Sequence, residues 1–404
     1  MTPDAAQAAV FVLRIGRAVH QHGYSAGRVE EVMSTLAVRL GLRHPQIFVT
    51  PTAIHAAFGP PGEQSVHLLR VEPGVVNLGV LARLDAIMRQ VREGTLTPLE
   101  GIARIDSLDA APPTYGPVLA VLAFALASGA SARFLGGGIR EIAMALVIGG
   151  STGLLALLSA RLPALERVFE PLAAFVASFL AGALAAKVAP FSSYLATLAG
   201  LIVLLPGFTL TVALRELTTR HLASGTARLA AATITFLGII FGVALGGKIS
   251  ALAFGAARVA TPVPLPGWTE FAAFVVVGLA FSVILKAEPA DAGWVLLAGM
   301  IAVLASRYGG RALGPELGAF VGALAVGVAS NLFTGFRNRP SMIMMVPGVL
   351  LLVPGSIGYR SLAALLEAEV VSGVQTAFRM FLTAVALVAG LLFANLVTPR
   401  RAFA

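Results

Sequence analysis

Two proline-glycine pairs lie inside long apolar stretches of this chain, Pro206-Gly207 in LLPGFTL and Pro354-Gly355 in LLVPGSI. Proline has no amide hydrogen, so it removes one hydrogen bond from a helix and leaves a carbonyl of the preceding turn unpaired. Within a membrane, such breaks persist where the backbone faces protein or a water-filled cavity. The segment after a break presents amide hydrogens and the segment before it presents carbonyls. Because a zwitterion or small anion needs such a pair of ends, we predict that both breaks bind substrate.

Hydroxyl side chains follow each break and complete the predicted substrate site. Thr209 and Thr211 come after the first break, and Ser356 comes after the second. Asn331, near the end of a later apolar stretch, is a further candidate for substrate contact. In the alternative interpretation, the prolines only kink their helices, the hydroxyls bond within their own helix and Asn331 joins two helices.

Three ionisable residues near apolar stretches are predicted to couple protons or to gate the site. Arg215 and Glu216 follow the first break, and Glu141 follows the glycine run in LGGGIRE. A carboxylate in a cavity suits proton coupling because burial favours its protonated form. The alternative is that these charges anchor helix ends at the membrane interface.

No pattern in the sequence predicts an enzyme, a metal site or a cofactor. The chain has no cysteine, and five of its six histidines occur before residue 68 without metal-ligand spacing. The glycine runs lack the strand context and lysine of a phosphate loop. Nucleophile-elbow and metalloprotease patterns are missing from the sequence as well. We therefore predict no catalytic residue, no metal ligand and no cofactor.

Composition indicates a membrane protein. The chain is 57% hydrophobic and 12% charged, with a mean hydropathy of +0.87, and a water-soluble domain cannot hide that much apolar surface. Residues 1–116 contain ten Arg and ten Asp or Glu, so the net charge of +9 arises after them. Positive charge between apolar stretches is typical of loops at lipid head groups, and it argues against a nucleic-acid partner.

Residues 1–112 differ from the rest and predict a small soluble α+β domain. Two segments with helical spacing come first, and Ser25 and Gly41 bracket the second. QIFVTPTAIHAAF and QSVHLLRVE are then predicted to be two strands joined by a turn at GPPGE. Two amphipathic helices follow, the second opened by Thr97 and Pro98.

The remaining sequence predicts ten transmembrane helices in two units, residues 113–250 and 262–404. Their predicted bounds are 117–133, 139–160, 168–188, 193–217, 226–248, 269–286, 292–308, 314–333, 341–366 and 373–397. The two Pro-Gly pairs and the pairs Ser224-Gly225 and Ser372-Gly373 are each 148 positions apart (354 − 206; 372 − 224). A second copy of a five-helix unit must cross in the opposite sense, so the fold class predicted is an all-α polytopic protein with an inverted 5+5 repeat. The alternative is that Gly- and Pro-rich membrane helices resemble one another by composition alone.

The order of several motifs resembles the threonine/serine exporter family over essentially the whole chain. These motifs are GYSAGRVEEVMSTLAVRLGL, VTPTAI, VNLGVLARLDAI, LLPGFTLTVALREL, SGTARL and LLVPGSIGYRSL. The resemblance implies a proton-driven exporter of small hydroxy amino acids in the bacterial inner membrane. It places the two Pro-Gly pairs, Glu216 and Glu141 at family-like positions, and it departs at Val212, where many relatives have Asn.

We therefore expect a secondary active exporter of threonine and serine that works by alternating access between the two broken helices. Its partners would be a small-molecule substrate, protons and membrane lipid, and a homo-oligomer is compatible with this expectation. The alternatives are a dicarboxylate (succinate) exporter, favoured if Arg215 or Arg360 faces the cavity, and a hydrolase or sensor in the N-terminal domain. Lys and Arg are split almost evenly between the two predicted faces. A cytoplasmic N-terminal domain is expected because no export signal precedes it.

Overall fold

A computed structural model describes residues 3–399 of the protein, so residues 1–2 and 400–404 of the predicted domains lie outside the described part. The N-terminal domain contains four helices and one antiparallel sheet with the strand order β1-β2-β3. Its elements are α1 Pro3–Gln21, α2 Ala26–Arg39, β1 Gln46–Thr50, β2 Ala53–Phe58, β3 Ser65–Arg70, α3 Leu78–Arg92 and α4 Pro98–Asp109.

The prediction of two strands in this domain was wrong in number, because QIFVTPTAIHAAF forms a hairpin. β1 and β2 pair antiparallel, and Thr50 faces Ala53 across a turn of Pro51 and Thr52. Proline cannot donate to a sheet ladder, so Pro51 ends β1. The Thr50 hydroxyl accepts a hydrogen bond from the amide of Ala53 at 3.1 Å and thereby closes the turn. The predicted turn at GPPGE is confirmed between β2 and β3.

The predicted start of the last soluble helix is confirmed by a complete capping box. The Thr97 hydroxyl accepts from the amide of Glu100, and the Glu100 carboxylate accepts from the amide of Thr97 at 2.8 Å. Pro98 occupies the first turn, where its missing amide hydrogen costs no helical bond. These contacts fix where α4 begins, and the helix packs against α1 and α3.

The rest of the described chain is almost entirely helical. The first part contains α5 Pro117–Phe134, α6 Ile139–Ser159, the single-turn α7 Pro163–Glu166, α8 Phe169–Lys187, α9 Ser193–Gly200, α10 Gly207–Thr218 and α11 Leu222–Phe254. The second part contains α12 Trp268–Ile284, α13 Ala292–Leu313, α14 Pro315–Arg337, α15 Met342–Leu350, α16 Gly355–Leu366 and α17 Val370–Val397. Residues 255–267 form a connector without helix or strand.

Eight segments of the described part are long and apolar enough to cross a membrane, by length and composition. One of them, Met342–Leu366, is the pair α15 and α16 taken together. The predicted span 193–217 is divided between α9 and α10, and α12 is shorter than the other candidates. The count of ten spans and the inverted repeat therefore stay predictions.

Within each of the two parts, helices at corresponding positions pack against one another in the same way. α8 packs along α11, and α14 packs along α17. α10 lies against α11, and α16 lies against α17. Likewise α6 contacts α9 while α13 contacts α15, and α5 and α12 meet each other between the two parts. Large apolar side chains such as Phe241 on α11 and Phe336 on α14 are exposed, as expected for a surface that faces lipid.

The apolar core of the N-terminal domain continues into the helical part. Buried Leu78 and Leu81 belong to the same cluster as Leu285 and Ala287, which follow α12. The amide of Leu78 also donates to the carbonyl of Leu285 at 2.9 Å. The N-terminal domain is therefore docked on the helices through buried surface and through backbone hydrogen bonds.

Candidate functional site

The two Pro-Gly pairs meet each other in the structure. α10 begins at Gly207 and α16 begins at Gly355, and the preceding prolines have nearly equal backbone angles, φ −78° and ψ 33° at Pro206 and φ −82° and ψ 34° at Pro354. A Cβ atom added to Gly207 would lie 2.7 Å from the backbone nitrogen of Gly355 and 2.9 Å from its Cα atom. The starts of the two helices thus abut, backbone against backbone, at a contact that only glycine permits at position 207.

A cavity lies beside this contact, between α10, α15 and the turn that joins α1 to α2. One face of α10 lines it with residues three or four positions apart, as helical geometry requires. Its volume is about 40 Å³, which is room for a few water molecules. The lining residues are Gly23, Tyr24, Ser25, Arg28, Phe208, Thr211, Val212, Arg215, Ser341, Met342, Met345, Val346, Val349 and Leu391.

The cavity lining carries two positive charges and no carboxylate. Arg28 comes from α2 of the N-terminal domain, where its guanidinium pairs with Glu31 at 2.7 Å and lies 5.9 Å from the ring centre of Tyr24. Arg215 comes from α10, and within residues 3–399 no carboxylate lies within ion-pair distance of it. The cavity lining is therefore positively charged, with the Glu31 carboxylate next to one of its two arginines.

Glu216 holds the N-terminal domain to the helical part through a buried carboxylate. One of its oxygens accepts from the amide of Ala26, the first residue of α2, at 2.8 Å. The other oxygen accepts from the Ser224 hydroxyl at 2.7 Å and pairs with Arg228 at 3.1 Å. Ser25 occupies the N-cap position of α2 without a side-chain cap. The carboxylate of Glu216 thus does the capping instead.

Two histidines lie at the same boundary. His221, in the turn before α11, contacts the Glu30 carboxylate at 3.1 Å, and Glu30 also accepts from the amide of Val49. Buried His20 donates from Nε2 to the carbonyl of Thr50 at 3.2 Å. Burial, followed by the nearby positive charge of Arg228, lowers the pKa of His20 from its ordinary value of 6.5, so His20 is neutral at pH 7.

The N-terminal domain also contacts the second helical part. Gly79, in the first turn of α3, donates to the carbonyl of Lys286 at 3.0 Å. Arg83 pairs with Glu288 at 3.2 Å, and Arg339 pairs with both Glu288 and Asp291. Contacts to Glu216 and to Glu288 therefore fasten one domain to both halves of the helical part.

Glu141 takes part in a different set of contacts, at the start of α6. Its carboxylate accepts from the amide of Gly138 at 2.9 Å and from the amide of Ser192 at 3.0 Å. These bonds cap α6 and fix the loop before α9. Glu141 does not line the cavity described above.

The hydroxyl and amide residues predicted to bind substrate, together with Arg215, predicted to couple protons or to gate the site, fall into three groups. Thr211 and Arg215 line the cavity, and the Thr211 hydroxyl donates to the carbonyl of Gly207 in its own helix at 3.0 Å. Thr209 and Ser356 lie near the Pro-Gly contact but do not line the cavity. Asn331 donates to Asn395 at 3.2 Å and to the carbonyl of Thr398 at 2.8 Å, so it joins α14 to α17 and its C-terminal end.

Sequence reasoning missed the contribution of the N-terminal domain to the cavity. Tyr24, Ser25 and Arg28 belong to the segment GYSAGR, which predicted only a helix start. A serine and an arginine at a helix start carry no signal for a distant contact, because nothing local distinguishes them from ordinary capping and surface residues. Within the described residues, no group of three or more His, Cys, Asp or Glu is arranged to hold a metal ion.

Apolar helices of membrane-spanning length, interrupted by paired breaks beside a cavity, define a polytopic membrane transporter. A family model described as "Putative threonine/serine exporter" matches residues 10–250, and one described as "Threonine/Serine exporter, ThrE" matches residues 270–397. The chain belongs to the threonine/serine exporter family, whose members are membrane transporters and not enzymes.

Relatives occur in bacteria and in yeasts. The chain is 26% identical to a threonine/serine exporter of Corynebacterium glutamicum over 406 residues, which cover 96% of this chain and 81% of the relative. It is 26% identical over 383 residues to pheromone-regulated membrane protein 10 of Saccharomyces cerevisiae and 27% identical over 372 residues to that of Eremothecium gossypii. The matches cover 93% and 89% of this chain but 49% of each yeast relative, so the chain spans about half their length. No solved structure matches it.

Proposed function

We propose that the protein is a secondary active exporter of threonine and serine that uses alternating access around the Pro-Gly contact. The observation that carries this proposal is the abutment of Gly207 and Gly355 beside a cavity. Two broken helices whose ends meet are the arrangement in which many secondary transporters bind substrate. Export of these amino acids by the C. glutamicum relative supplies the substrate class.

The inverted 5+5 repeat is part of the proposal and is supported by repeated glycine contacts. A Cβ atom on Gly225 would lie 2.7 Å from the Leu217 side chain, and one on Gly373 would lie 2.6 Å from the Leu365 side chain. Both members of the second pair are 148 positions beyond those of the first (373 − 225; 365 − 217). Gly242 and Gly390, also 148 apart, each approach a backbone carbonyl of the neighbouring helix.

Alternating access would require α10, α15 or the N-terminal domain to move. A volume of about 40 Å³ holds a few waters and is too small for an amino acid. The irregular residues 201–206 before α10 and 351–354 before α16 provide hinges, because they lack regular helical bonding. Tilting of α10 about the first hinge would widen the cavity on the side of the N-terminal domain.

Proton coupling is proposed at Glu216. Its carboxylate accepts from the start of α2 and pairs with Arg228 of α11, so protonation would weaken the hydrogen bond that fastens the domain and would remove the ion pair beside it. If the Glu216 carboxylate binds a proton more tightly when the domain is released than when it is docked, protonation of Glu216 favours release of the domain. Glu141, which accepts two backbone amides, is the second candidate.

We place the transporter in the bacterial plasma membrane with the N-terminal domain in the cytoplasm. The bacterial relative and the apolar helices support the location. The turns that contact the N-terminal domain, at 218–222, 285–292 and 337–342, would then all lie on the cytoplasmic face.

Dicarboxylate export is the second candidate, and one observation favours it. Arg215 lines the cavity, whereas Arg360 is exposed on α16 and does not. A cavity with arginine and without a carboxylate suits an anion better than a zwitterion, whose ammonium group has no acidic partner there.

Efflux from proteoliposomes tests both candidates. Vesicles loaded with labelled threonine, serine or succinate should lose one substrate class faster when a pH gradient is imposed, and empty vesicles provide the background. Preference for succinate over both amino acids would overturn the first candidate in favour of the second. Absence of gradient-dependent efflux for all three would refute the proposed mechanism.

A further inference from the structure

We infer that the N-terminal domain supplies part of the substrate site, with Arg28 and Arg215 holding a carboxylate group of the transported molecule between them. This inference rests on the proposed function and assigns the binding chemistry. It makes the N-terminal domain part of the transporter's recognition site instead of a separate regulator.

The two arginines reach the same cavity from different domains. Arg28 lies in the first turn of α2, and Arg215 lies near the end of α10, two turns beyond the Pro-Gly contact. Their charges are near enough to repel one another. Glu31 forms an ion pair with Arg28, whereas Glu31 and Glu216 act on Arg215 only from beyond ion-pair distance. A pair of cations facing one cavity is stabilised when an anion lies between them.

A carboxylate is the anion that this cavity fits. Guanidinium groups bind carboxylates through two parallel hydrogen bonds, which gives direction as well as charge. The serine hydroxyls of Ser25 and Ser341 lie in the same lining, and Phe208, Val212 and Val346 provide its apolar wall. In the cavity widened by the movement proposed above, this lining suits a small molecule with one or two carboxylates and a short body, whether it is an amino acid or a dicarboxylate.

Neutral variants of the two arginines test the inference. In proteoliposomes, Arg28→Gln and Arg215→Gln should each raise the KM for efflux of the carboxylate substrate at least tenfold. The matched control is Arg39→Gln, because Arg39 is exposed on the last turn of α2 and lies outside the cavity. We expect the KM of the control to equal that of the unaltered protein.

Arg28→Lys separates binding from folding. Lysine keeps the charge beside Tyr24 and Glu31 but cannot form the two parallel bonds, so its KM should still rise several-fold. Threonine or succinate should raise the melting temperature of the detergent-solubilised protein, and threoninol, which has no carboxylate, should not. The stabilisation should be lost in Arg215→Gln and reduced in Arg28→Lys.

The outcomes distinguish this inference from the proposed function. Efflux with an unchanged KM in Arg28→Gln and Arg28→Lys would overturn the role of Arg28 and leave the exporter proposal standing. Equal stabilisation by threoninol and threonine would overturn the carboxylate assignment. Absence of efflux from the unaltered protein would refute the exporter proposal itself, whereas ligand stabilisation that depends on both arginines would still support the binding site.

Discussion

Among single residues, Glu216 has the contacts whose loss should be easiest to measure. Its carboxylate accepts from Ala26 and Ser224 and pairs with Arg228. In Glu216→Gln, an amide NH₂ group replaces one carboxylate oxygen and faces a hydrogen-bond donor, either the Ala26 amide or the Ser224 hydroxyl. Arg228 also loses the negative charge with which it pairs. We expect a loss of about 1.5–3 kcal/mol for a hydrogen bond to a charged group. The melting temperature should fall, and protease should cleave the N-terminal domain faster.

Glu141→Gln is the matched control for this prediction. Glu141 also accepts two backbone amides, but both donors belong to the helical part. Its variant should lower the melting temperature without changing cleavage of the N-terminal domain. If Glu216→Gln and the unaltered protein were cleaved at the same rate, Glu216 would not be the residue that fastens the domain.

Some single residues of the site could be predicted from the sequence and others could not. Glu216 could be singled out because a carboxylate beside an apolar stretch is unusual. Its partner, the backbone amide of Ala26, lies 190 positions away and carries no side-chain signal at all. The two arginines of the cavity differ in the same respect. Arg215 could be singled out because it follows the Pro206-Gly207 pair in sequence, whereas Arg28 lies beside the cavity only because the N-terminal domain docks there.

At the scale of helices, the Pro-Gly contact predicts different tolerance at its two glycines. Ala at position 207 would put its Cβ atom 2.7 Å from the backbone nitrogen of Gly355, and a backbone atom cannot move aside as a side-chain tip can. Ala at position 355 would meet the Cβ atom of Leu205 at 3.1 Å, which is a milder contact. Gly207→Ala should therefore destabilise the protein by about 1–3 kcal/mol and Gly355→Ala by less. Thermal unfolding in detergent measures both.

Transport should follow the same order. Gly207→Ala pushes the starts of α10 and α16 apart, so its efflux rate should fall well below that of Gly355→Ala. Equal melting temperatures and equal efflux in the two variants would show that the helix starts do not abut as described.

The helices were predictable where their signals are local. Pro206 and Pro354 mark the starts of α10 and α16, and Thr97 and Pro98 mark the start of α4. The β1–β2 turn was missed although Pro51 marks it, because the residues on both sides form strands and Pro51 and Thr52 lack the glycine or asparagine of a strong turn signal. Packing partners such as α8 with α11 depend on small residues that occur throughout the chain, so sequence alone did not identify them.

Across the whole molecule, the docked N-terminal domain links the two halves of the transporter. It contacts Glu216 and His221 in the first half and Lys286 and Glu288 in the second. When one half moves against the other, the N-terminal domain must therefore move with one half and break its contacts to the other. If the cavity between α10 and α15 is the substrate site, as proposed, these contacts would couple the position of the N-terminal domain to that site.

The number of membrane crossings decides on which side the connector 255–267 lies. If α9 and α10 together form one crossing, five crossings separate the N-terminal domain from the connector, and the two lie on opposite faces. If they do not cross, four crossings remain and the connector returns to the face of the N-terminal domain. The inverted repeat requires the first arrangement, because only an odd number of crossings reverses the second unit.

Single cysteines in this cysteine-free chain can test that arrangement. Val259→Cys lies in the connector, where Val259 is 76% exposed, and Ala103→Cys lies on an exposed face of α4. Leu162→Cys, two crossings after the N-terminal domain, is the control that should behave like Ala103→Cys under either count. We expect a membrane-impermeant maleimide to label Val259→Cys in intact cells and the other two only after permeabilisation. Protection of all three in intact cells would exclude the fifth crossing and with it the inverted repeat, whereas labelling of only Ala103→Cys and Leu162→Cys would keep the repeat and reverse its orientation.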